Sequence, residues 1–230
     1  MARRRIIVFA VLGIASYALA MLVTLPASVV VKNRPWRTGV AGTVWNGEVG
    51  VAGGSKLEWH MAPLRSLVSL AFAADWKATG PNTDLGGRML VHFGGRTVLD
   101  KVSGAADASL LQAIQPNLPF TCDLTMQVQM ERIAIGGGAQ MLDGNLTTDP
   151  GSCRPKGAGA ASALPALFLA AEHIGNRTMI RIAPLTQRRK ILFTAELAED
   201  GTIDLGLTPE GAAMMPFVGL PGGARIQGKM

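Results

Sequence analysis

The sequence is poor in the side chains that carry most enzyme chemistry. Its 230 residues include three histidines, two cysteines and one tyrosine, and only 17% of them are charged. Glycine, by contrast, occurs 28 times. Helix-rich enzymes carry more Glu, Lys and Leu than this, whereas frequent glycine among alternating apolar residues is typical of short strands joined by turns. The composition therefore predicts a mainly β protein.

No arrangement of the reactive residues in the sequence matches a catalytic motif. A nucleophile needs a histidine that is oriented by a carboxylate, but His60 and His92 lie in strand-like alternating segments and His173 in a predicted loop. The glycines at 136–138 lack the strand, helix and lysine that surround a phosphate-binding loop. We therefore predict no catalytic residue, no cofactor-binding residue and no metal ligand, and we expect the protein not to be an enzyme.

The longest uncharged run lies close to the N-terminus. Residues 6–25 contain no charged side chain and follow three arginines at positions 3–5. A helix of about 20 residues spans about 30 Å, the thickness of a bilayer core. Because positive charge favours the cytoplasmic side, we expect residues 1–5 in the cytoplasm and the bulk of the chain in the periplasm.

The same segment also fits a cleaved signal peptide. Ala18-Leu19-Ala20 matches the small-residue pattern of a cleavage site. The apolar run continues past Ala20 and is longer than the core of a usual signal, which favours an uncleaved inner-membrane anchor. In both cases the rest of the chain is exported, so the net charge of +6 does not indicate a nucleic-acid partner.

Both cysteines, Cys122 and Cys153, lie in the predicted exported part. An oxidising compartment permits a disulfide between them, and this is the prediction we make. Two separate buried thiols and a shared metal site are the alternatives. No histidine lies near either cysteine in sequence, which disfavours the metal site.

The exported part divides into a short tether and one domain. Residues 26–36 are the predicted tether, in which Pro26 and Pro35 limit helix formation. Residues 37–230 are the predicted periplasmic domain. Its alternating apolar pattern and glycine-rich turns predict a curved or twisted antiparallel sheet with two or three short helices.

Several local signals place elements within this domain. The clearest strand pattern covers 121–130, and a return strand is expected at 139–148. Asp107 and Thr208 each stand where they can cap a short helix. The dipeptide at 46–47, Asn-Gly, predicts a tight hairpin turn.

All four tryptophans occur in the first third of the chain. The simplest interpretation is that they pack in the core or on a sheet face. The alternative is an aromatic interaction surface near the membrane, where an indole ring is buried while its N–H stays hydrated. The residues concerned are Trp36, Trp45, Trp59 and Trp76.

Four features follow one another along the chain. The first is a short N-terminus with a single span. The second is Gly42-Thr43-Val44-Trp45-Asn46-Gly47, followed by Leu57-Glu58-Trp59 and Pro63-Leu64. The third is Pro116-Asn117-Leu118-Pro119 before Cys122, with Gly144-Asn145-Leu146 further on. The fourth is Asp200-Gly201-Thr202-Ile203-Asp204-Leu205, followed by Leu207-Thr208-Pro209-Glu210-Gly211. In this order they resemble the N protein family of the bacterial type II secretion system, also called general secretion pathway protein N.

That resemblance implies a non-catalytic accessory part of the machine that moves folded proteins from the periplasm to the outside. It implies partners in the inner-membrane platform or among the periplasmic parts linked to the secretin, and it carries no catalytic residue. A second resemblance is to membrane-anchored proteins of the AsmA and lipopolysaccharide-transport type. Those proteins hold lipid acyl chains on the apolar face of a glycine-punctuated sheet, so the partner would then be lipid.

Overall fold

A computed structural model describes residues 2–31, 37–51, 54–114, 117–138, 140–157 and 159–229. Within these residues the chain is mainly β, as predicted. A long helix, α1 (Ala2–Val23), precedes four short α-helices. The short helices are α2 (Ala27–Val30), α3 (Pro63–Ser69), α4 (Ala108–Ile114) and α5 (Pro209–Met214), and a 3-10 turn covers Pro216–Val218.

Sixteen strands make up most of the rest of the described chain. In chain order they are β1 (Arg37–Gly42), β2 (Asn46–Val51), β3 (Ser55–Met61), β4 (Phe72–Gly80), β5 (Thr83–Val91), β6 (Thr97–Asp107), β7 (Phe120–Asp123), β8 (Thr125–Ile135), β9 (Met141–Thr148), β10 (Gly151–Pro155), β11 (Ser162–Leu164), β12 (Leu167–Ile174), β13 (Arg177–Pro184), β14 (Phe193–Ala198), β15 (Thr202–Leu207) and β16 (Arg225–Lys229).

Thirteen of these strands form one antiparallel sheet, and β7, β10 and β11 form a separate small sheet. In the large sheet the strands lie side by side in the order in which they occur in the chain. Each strand therefore runs opposite to the one before it, and the connections fall alternately at two ends of the sheet. The β1–β2 turn, α3 and the β5–β6 turn lie at one end, which we call the proximal end. The small sheet, α4 and α5 lie at the other, distal end.

Helix α1 is long and apolar enough to cross a membrane. Its segment Ile6–Val23 has a mean hydropathy of 2.6, and none of it is buried inside the rest of the protein. These properties agree with the predicted single N-terminal span, and an N-terminal signal sequence shares them. The helix ends against the proximal end of the sheet, because Val44 N donates to Leu25 O over 3.0 Å.

The predicted tether begins inside the folded domain. Helix α2 lies within it, and Ala27 is 0% exposed in a cluster with Val49, Trp59 and Ala74. The described residues contain four short helices, whereas two or three were expected. The additional one is α2, which lies in the segment predicted to be a tether. Residues 32–36 of the predicted tether lie outside the described ranges.

The predicted turn at 46–47 is wrong in position. Asn46 and Gly47 begin β2, and Thr43 N donates to Asn46 O across the connecting turn. A Cβ atom on Gly47 would collide with the Trp59 ring. The glycine is therefore required by the close approach of an indole from the next strand, and not by a two-residue turn.

The predicted strand at 121–130 is divided between the two sheets. Strand β7 pairs with β10 in the small sheet, whereas β8 pairs with β6 and β9 in the large one. The chain leaves one sheet for the other at Leu124, whose carbonyl accepts a hydrogen bond from Ala108 N at the start of α4. Alternation continues through this change, so the sequence pattern does not reveal it.

Both predicted helix caps are present. The Asp107 carboxylate accepts a hydrogen bond from Ser109 N, and the Thr208 hydroxyl accepts one from Gly211 N. Burial raises the pKa of the Asp107 carboxyl, but hydrogen bonds from Ser109 and Asn82 outweigh it and leave the pKa below its ordinary value. The cap therefore stays ionised at neutral pH.

Candidate apolar binding groove

The sulfur atoms of Cys122 and Cys153 are joined in a disulfide, as predicted. The two residues stand opposite each other in β7 and β10, with their Cα atoms 4.1 Å apart. Cys153 is buried in an apolar cluster, which lies at the distal end between the small sheet and the C-terminal helices. The bridge thus belongs to the distal core of the domain.

Two of the four tryptophans form the centre of a different site. Trp59 and Trp76 are direct partners in β3 and β4, so their side chains lie on the same face of the large sheet. Trp59 is buried, and its indole N–H donates to Val44 O over 3.0 Å. Trp45 lies in the β1–β2 turn and donates to Leu22 O of α1 over 2.9 Å. Trp36 lies outside the described residues.

The face that carries Trp59 and Trp76 is hollowed into an apolar groove. Its proximal part is a cavity of about 420 Å³ beneath α2, with Val44, Phe72 and Val91 among the residues that line it. This volume lies within the roughly 300–1,000 Å³ that is usual for small-molecule sites. Helix α2 contributes Ala27 and Val30, so the segment directly after α1 forms one wall.

The groove continues toward the distal end of the sheet. A second cavity of about 260 Å³ is lined by Val51, Leu85 and Leu99, and Leu110 of α4 closes it. The proximal and distal cavities share Leu57, Trp59 and Met89. Because they share these walls, the two cavities form one mainly apolar path that runs along the strands from the end of α1 toward α4.

The opposite face of the same strands is charged. Arg65 pairs with Asp75 and Arg132 with Asp100, each at 2.8 Å. Lys77 pairs with Asp84 at 2.9 Å. The first half of the sheet therefore separates an apolar face from a charged one, and water-exposed ion pairs such as these contribute little to stability.

A further ion pair lies on the charged face, since Glu58 is the direct strand partner of Lys77. Lys56 hydrogen-bonds to Glu58, and Lys56 also lines the distal cavity. The hydrogen bond raises the pKa of Lys56 and lowers the pKa of Glu58. The proximal cavity is lined by a further cationic residue, Arg37, so the lining of the groove is mainly but not entirely apolar.

Two of the three histidines contact neutral polar groups. His60 Nδ1 lies 3.3 Å from Asn46 Oδ1, and His173 Nδ1 lies 3.2 Å from Thr178 Oγ1. Within the described ranges, no group of three or more His, Cys, Asp and Glu side chains could hold a metal ion. The arrangement with the clearest chemical character is therefore the groove, which can hold an elongated apolar molecule.

No protein-family model, curated protein or solved structure matches this chain.

The sequence identified some residues of the groove but not the groove itself. The sequence marks Trp59 and Trp76 as candidates for an interaction surface, whereas Met89 carries no signal beyond ordinary alternation. The alternating pattern shows that such residues share a face. It does not show that this face is hollow, because that depends on how the neighbouring strands and two short helices are placed.

Proposed function

We propose that the protein is a non-catalytic accessory component of the bacterial type II secretion machinery. Helix α1 anchors it in the inner membrane with residues 1–5 in the cytoplasm, and the sheet domain lies in the periplasm. The observation that carries the proposal is the ordered set of motifs that resembles the N protein family. Its support is that several residues of these motifs have a structural role in the fold, namely Val44, Trp45, Gly144 and Thr208.

The first motif, at 42–47, joins the sheet to the anchor. Its Val44 and Trp45 hydrogen-bond to the carbonyls of Leu25 and Leu22. A protein that transmits position or force between a membrane helix and a periplasmic sheet requires such a rigid connection. A direct connection of this kind is expected of an assembly component that holds a fixed position on the membrane, and not of a domain on a flexible tether.

The later motifs hold the second half of the sheet. Gly144 has a φ of +137°, and a Cβ there would lie 2.5 Å from Gln129 O. Only glycine fits that position in β9 without displacing the neighbouring strand. The Thr208 hydroxyl caps α5 and also donates to the carbonyl of Leu192, so it connects this helix to the sheet.

The sheet also offers surfaces for protein partners. It is open, and β1 and β16 are its two edges. Every residue of β16 is exposed. An open edge carries unpaired backbone N–H and C=O groups that can accept a strand from another protein. We propose that components of the inner-membrane platform or of the secretin-linked periplasmic parts are bound in this way.

Removal of the gene should reduce secretion of a folded exported protein and leave that protein in the periplasm. The expected cause is loss of an assembly component, so inner-membrane complexes isolated through another secretion component should contain this chain in wild-type cells. The measurement is the ratio of secreted to periplasmic substrate, with the gene restored on a plasmid as control. Unchanged secretion, with no secretion component in the isolated complexes, would contradict the proposal.

The groove specifically favours a second candidate function, the binding of lipid acyl chains. It is lined mainly by apolar residues, begins beside α1 and includes the cationic Arg37 in its proximal lining. A phospholipid combines an apolar chain with an anionic head group, which matches these properties. In this case the protein would handle lipid in the periplasm, as proteins of the second resemblance do.

Met89→Trp should displace lipid from the groove, because Met89 lines both cavities and the larger ring would fill them. We expect lipid that co-purifies with the detergent-extracted protein to fall strongly, as measured by mass spectrometry of the extracted lipids. Leu90→Trp is the matched control, since Leu90 is adjacent in β5 but faces the charged side. An equal lipid content in both variants would exclude the groove as a lipid site.

The same pair of variants separates the two candidate functions in cells. If the protein acts in secretion as a scaffold, Met89→Trp should restore secretion to the deletion strain as well as Leu90→Trp does. If Met89→Trp alone fails although the chain is present in the membrane, the groove and its lipid are required.

A further inference from the structure

Exposed apolar side chains are concentrated at the proximal end of the sheet. Beyond α2, the described residues include eight large apolar side chains that are exposed. All but Ile226 lie at the proximal end, in α3 or at its C-cap, in the β5–β6 turn, or at the proximal ends of β8 and β12. The eight are Leu64, Leu67, Val68, Leu70, Phe93, Ile135, Ile174 and Ile226.

Helix α3 presents apolar residues to its surroundings instead of to the sheet. It contains no buried residue, and Leu64, Leu67 and Val68 are 80%, 73% and 86% exposed. Their spacing of three and four residues places them on one face. The only charged residue of α3 is Arg65, which pairs with Asp75 of β4.

The end of α3 carries a further apolar residue at some cost. Leu70 has a φ of +47° at the C-cap, a left-handed conformation that glycine adopts freely and that costs other residues about 1–2 kcal/mol. Its side chain is 75% exposed and so gains little from packing within this chain. A leucine in this position is explained if the side chain is buried against something outside the chain.

The neighbouring β5–β6 turn extends the same surface. Phe93 is 96% exposed at its tip, and the turn is closed by a hydrogen bond from His92 N to Arg96 O. Strand register places Val91 opposite Phe72, the first residue of β4 after α3. Phe93 therefore lies next to the end of α3. We call α3 together with Phe93 the proximal apolar surface.

Hydrogen bonds through Trp45 connect the C-terminal end of α1 with the strand that precedes α3. Trp45 Nε1 donates to Leu22 O, and Leu22 belongs to the apolar segment of α1. Met61 N donates to Trp45 O over 2.7 Å. Helix α3 begins two residues after Met61. Trp45 and two further residues, Met61 and Ala62, thus connect the end of α1 to the start of α3.

We propose that the proximal apolar surface inserts into the interfacial region of the bilayer that α1 crosses. An apolar helix face held beside a membrane span lies where lipid is available to cover it. Val29 and Val30 of α2, directly after the anchor, are also exposed and extend the contact. The inference requires that α1 is in the membrane, but it does not depend on a role in secretion.

This contact would fix the orientation of the domain. The sheet would stand with its proximal end on the bilayer and its distal end, with the disulfide, farthest from it. The proximal cavity of the groove would open at the level of the lipid head groups, since Val44, Phe72 and Val91 lie at this end.

Photocrosslinking in the full-length chain tests the proposal. p-Benzoylphenylalanine replaces Phe93 in one variant, Leu67 in a second and Ile226 in a third, all of which are exposed positions that tolerate a larger ring. Each protein is inserted through α1 into phosphatidylethanolamine–phosphatidylglycerol vesicles, irradiated and analysed by intact mass. We expect phospholipid adducts at positions 93 and 67, and none at position 226, which is an exposed apolar site near the distal end.

Two results would overturn the proposal. One is the absence of lipid adducts at both proximal positions while the chain remains in the vesicles. The other is a crosslink from these positions to a second copy of the chain, which would identify the surface as a protein interface. Because secretion components are absent from the vesicles, neither result bears on the proposed secretion function.

Discussion

Leu192→Ala should lower the free energy of unfolding by about 2–5 kcal/mol, the usual cost of removing a buried leucine side chain and leaving a cavity. Leu192 is 0% exposed and is the largest fully buried side chain among the described residues. It packs in the distal cluster with Leu207 and Phe217. Its carbonyl also receives hydrogen bonds from the backbone and the hydroxyl of Thr208, so the surrounding chain has little freedom to close the cavity.

Urea unfolding in mild detergent, followed by far-UV circular dichroism, measures this change. Ile226→Ala is the matched control, because Ile226 lies on the exposed edge strand and its truncation should change stability by about 0.5 kcal/mol or less. Equal unfolding midpoints for the two variants would show that the distal cluster does not determine the stability of the domain.

Replacing both Cys122 and Cys153 by serine should cost about 2–5 kcal/mol of stability. The bridge joins residues 31 positions apart and restricts the unfolded chain. It also joins β7 to β10 within the distal cluster, and the small sheet has only three short strands to hold it together. The loss should appear as a lower midpoint in urea unfolding without reductant.

The reductant provides the control for this prediction. Dithiothreitol should lower the midpoint of the wild-type protein toward that of the double serine variant and should leave the variant itself unchanged. A wild-type midpoint that does not respond to complete reduction would contradict a stabilising role for the bridge. Cys153 and Leu192 belong to one cluster, so the effects of the two sets of changes should not simply add.

Signals confined to a few residues predicted their structures well. Asp107 and Thr208 cap α4 and α5 as expected, because a cap depends on a side chain and an amide two or three residues later. The return strand expected at 139–148 is present as β9. These elements depend on local hydrogen bonding and periodicity, which are visible in a short window of sequence.

Elements that depend on distant partners were predicted less well. The sequence of the Ala- and Gly-rich stretch at 157–172 favours a helix over 164–171 or a loop, and this is wrong, because the stretch forms β11 and most of β12. Leu167 N there donates to the Thr148 hydroxyl, which is buried. Pairing with β9 and β13 imposes the strand conformation on residues with little preference for it.

The sequence by itself determined the apolar N-terminal segment, the mainly β character, the two caps and the pairing of the only two cysteines. Each follows from composition or from spacings along the chain. Only the tertiary structure decided that residues 121–130 serve two sheets, that Leu57 and Met89 line a groove, and that α3 lies at the same end of the sheet as the C-terminal end of α1. The reason is physical: these features arise from strands and turns that meet across the sheet, and their contacts join residues far apart in sequence.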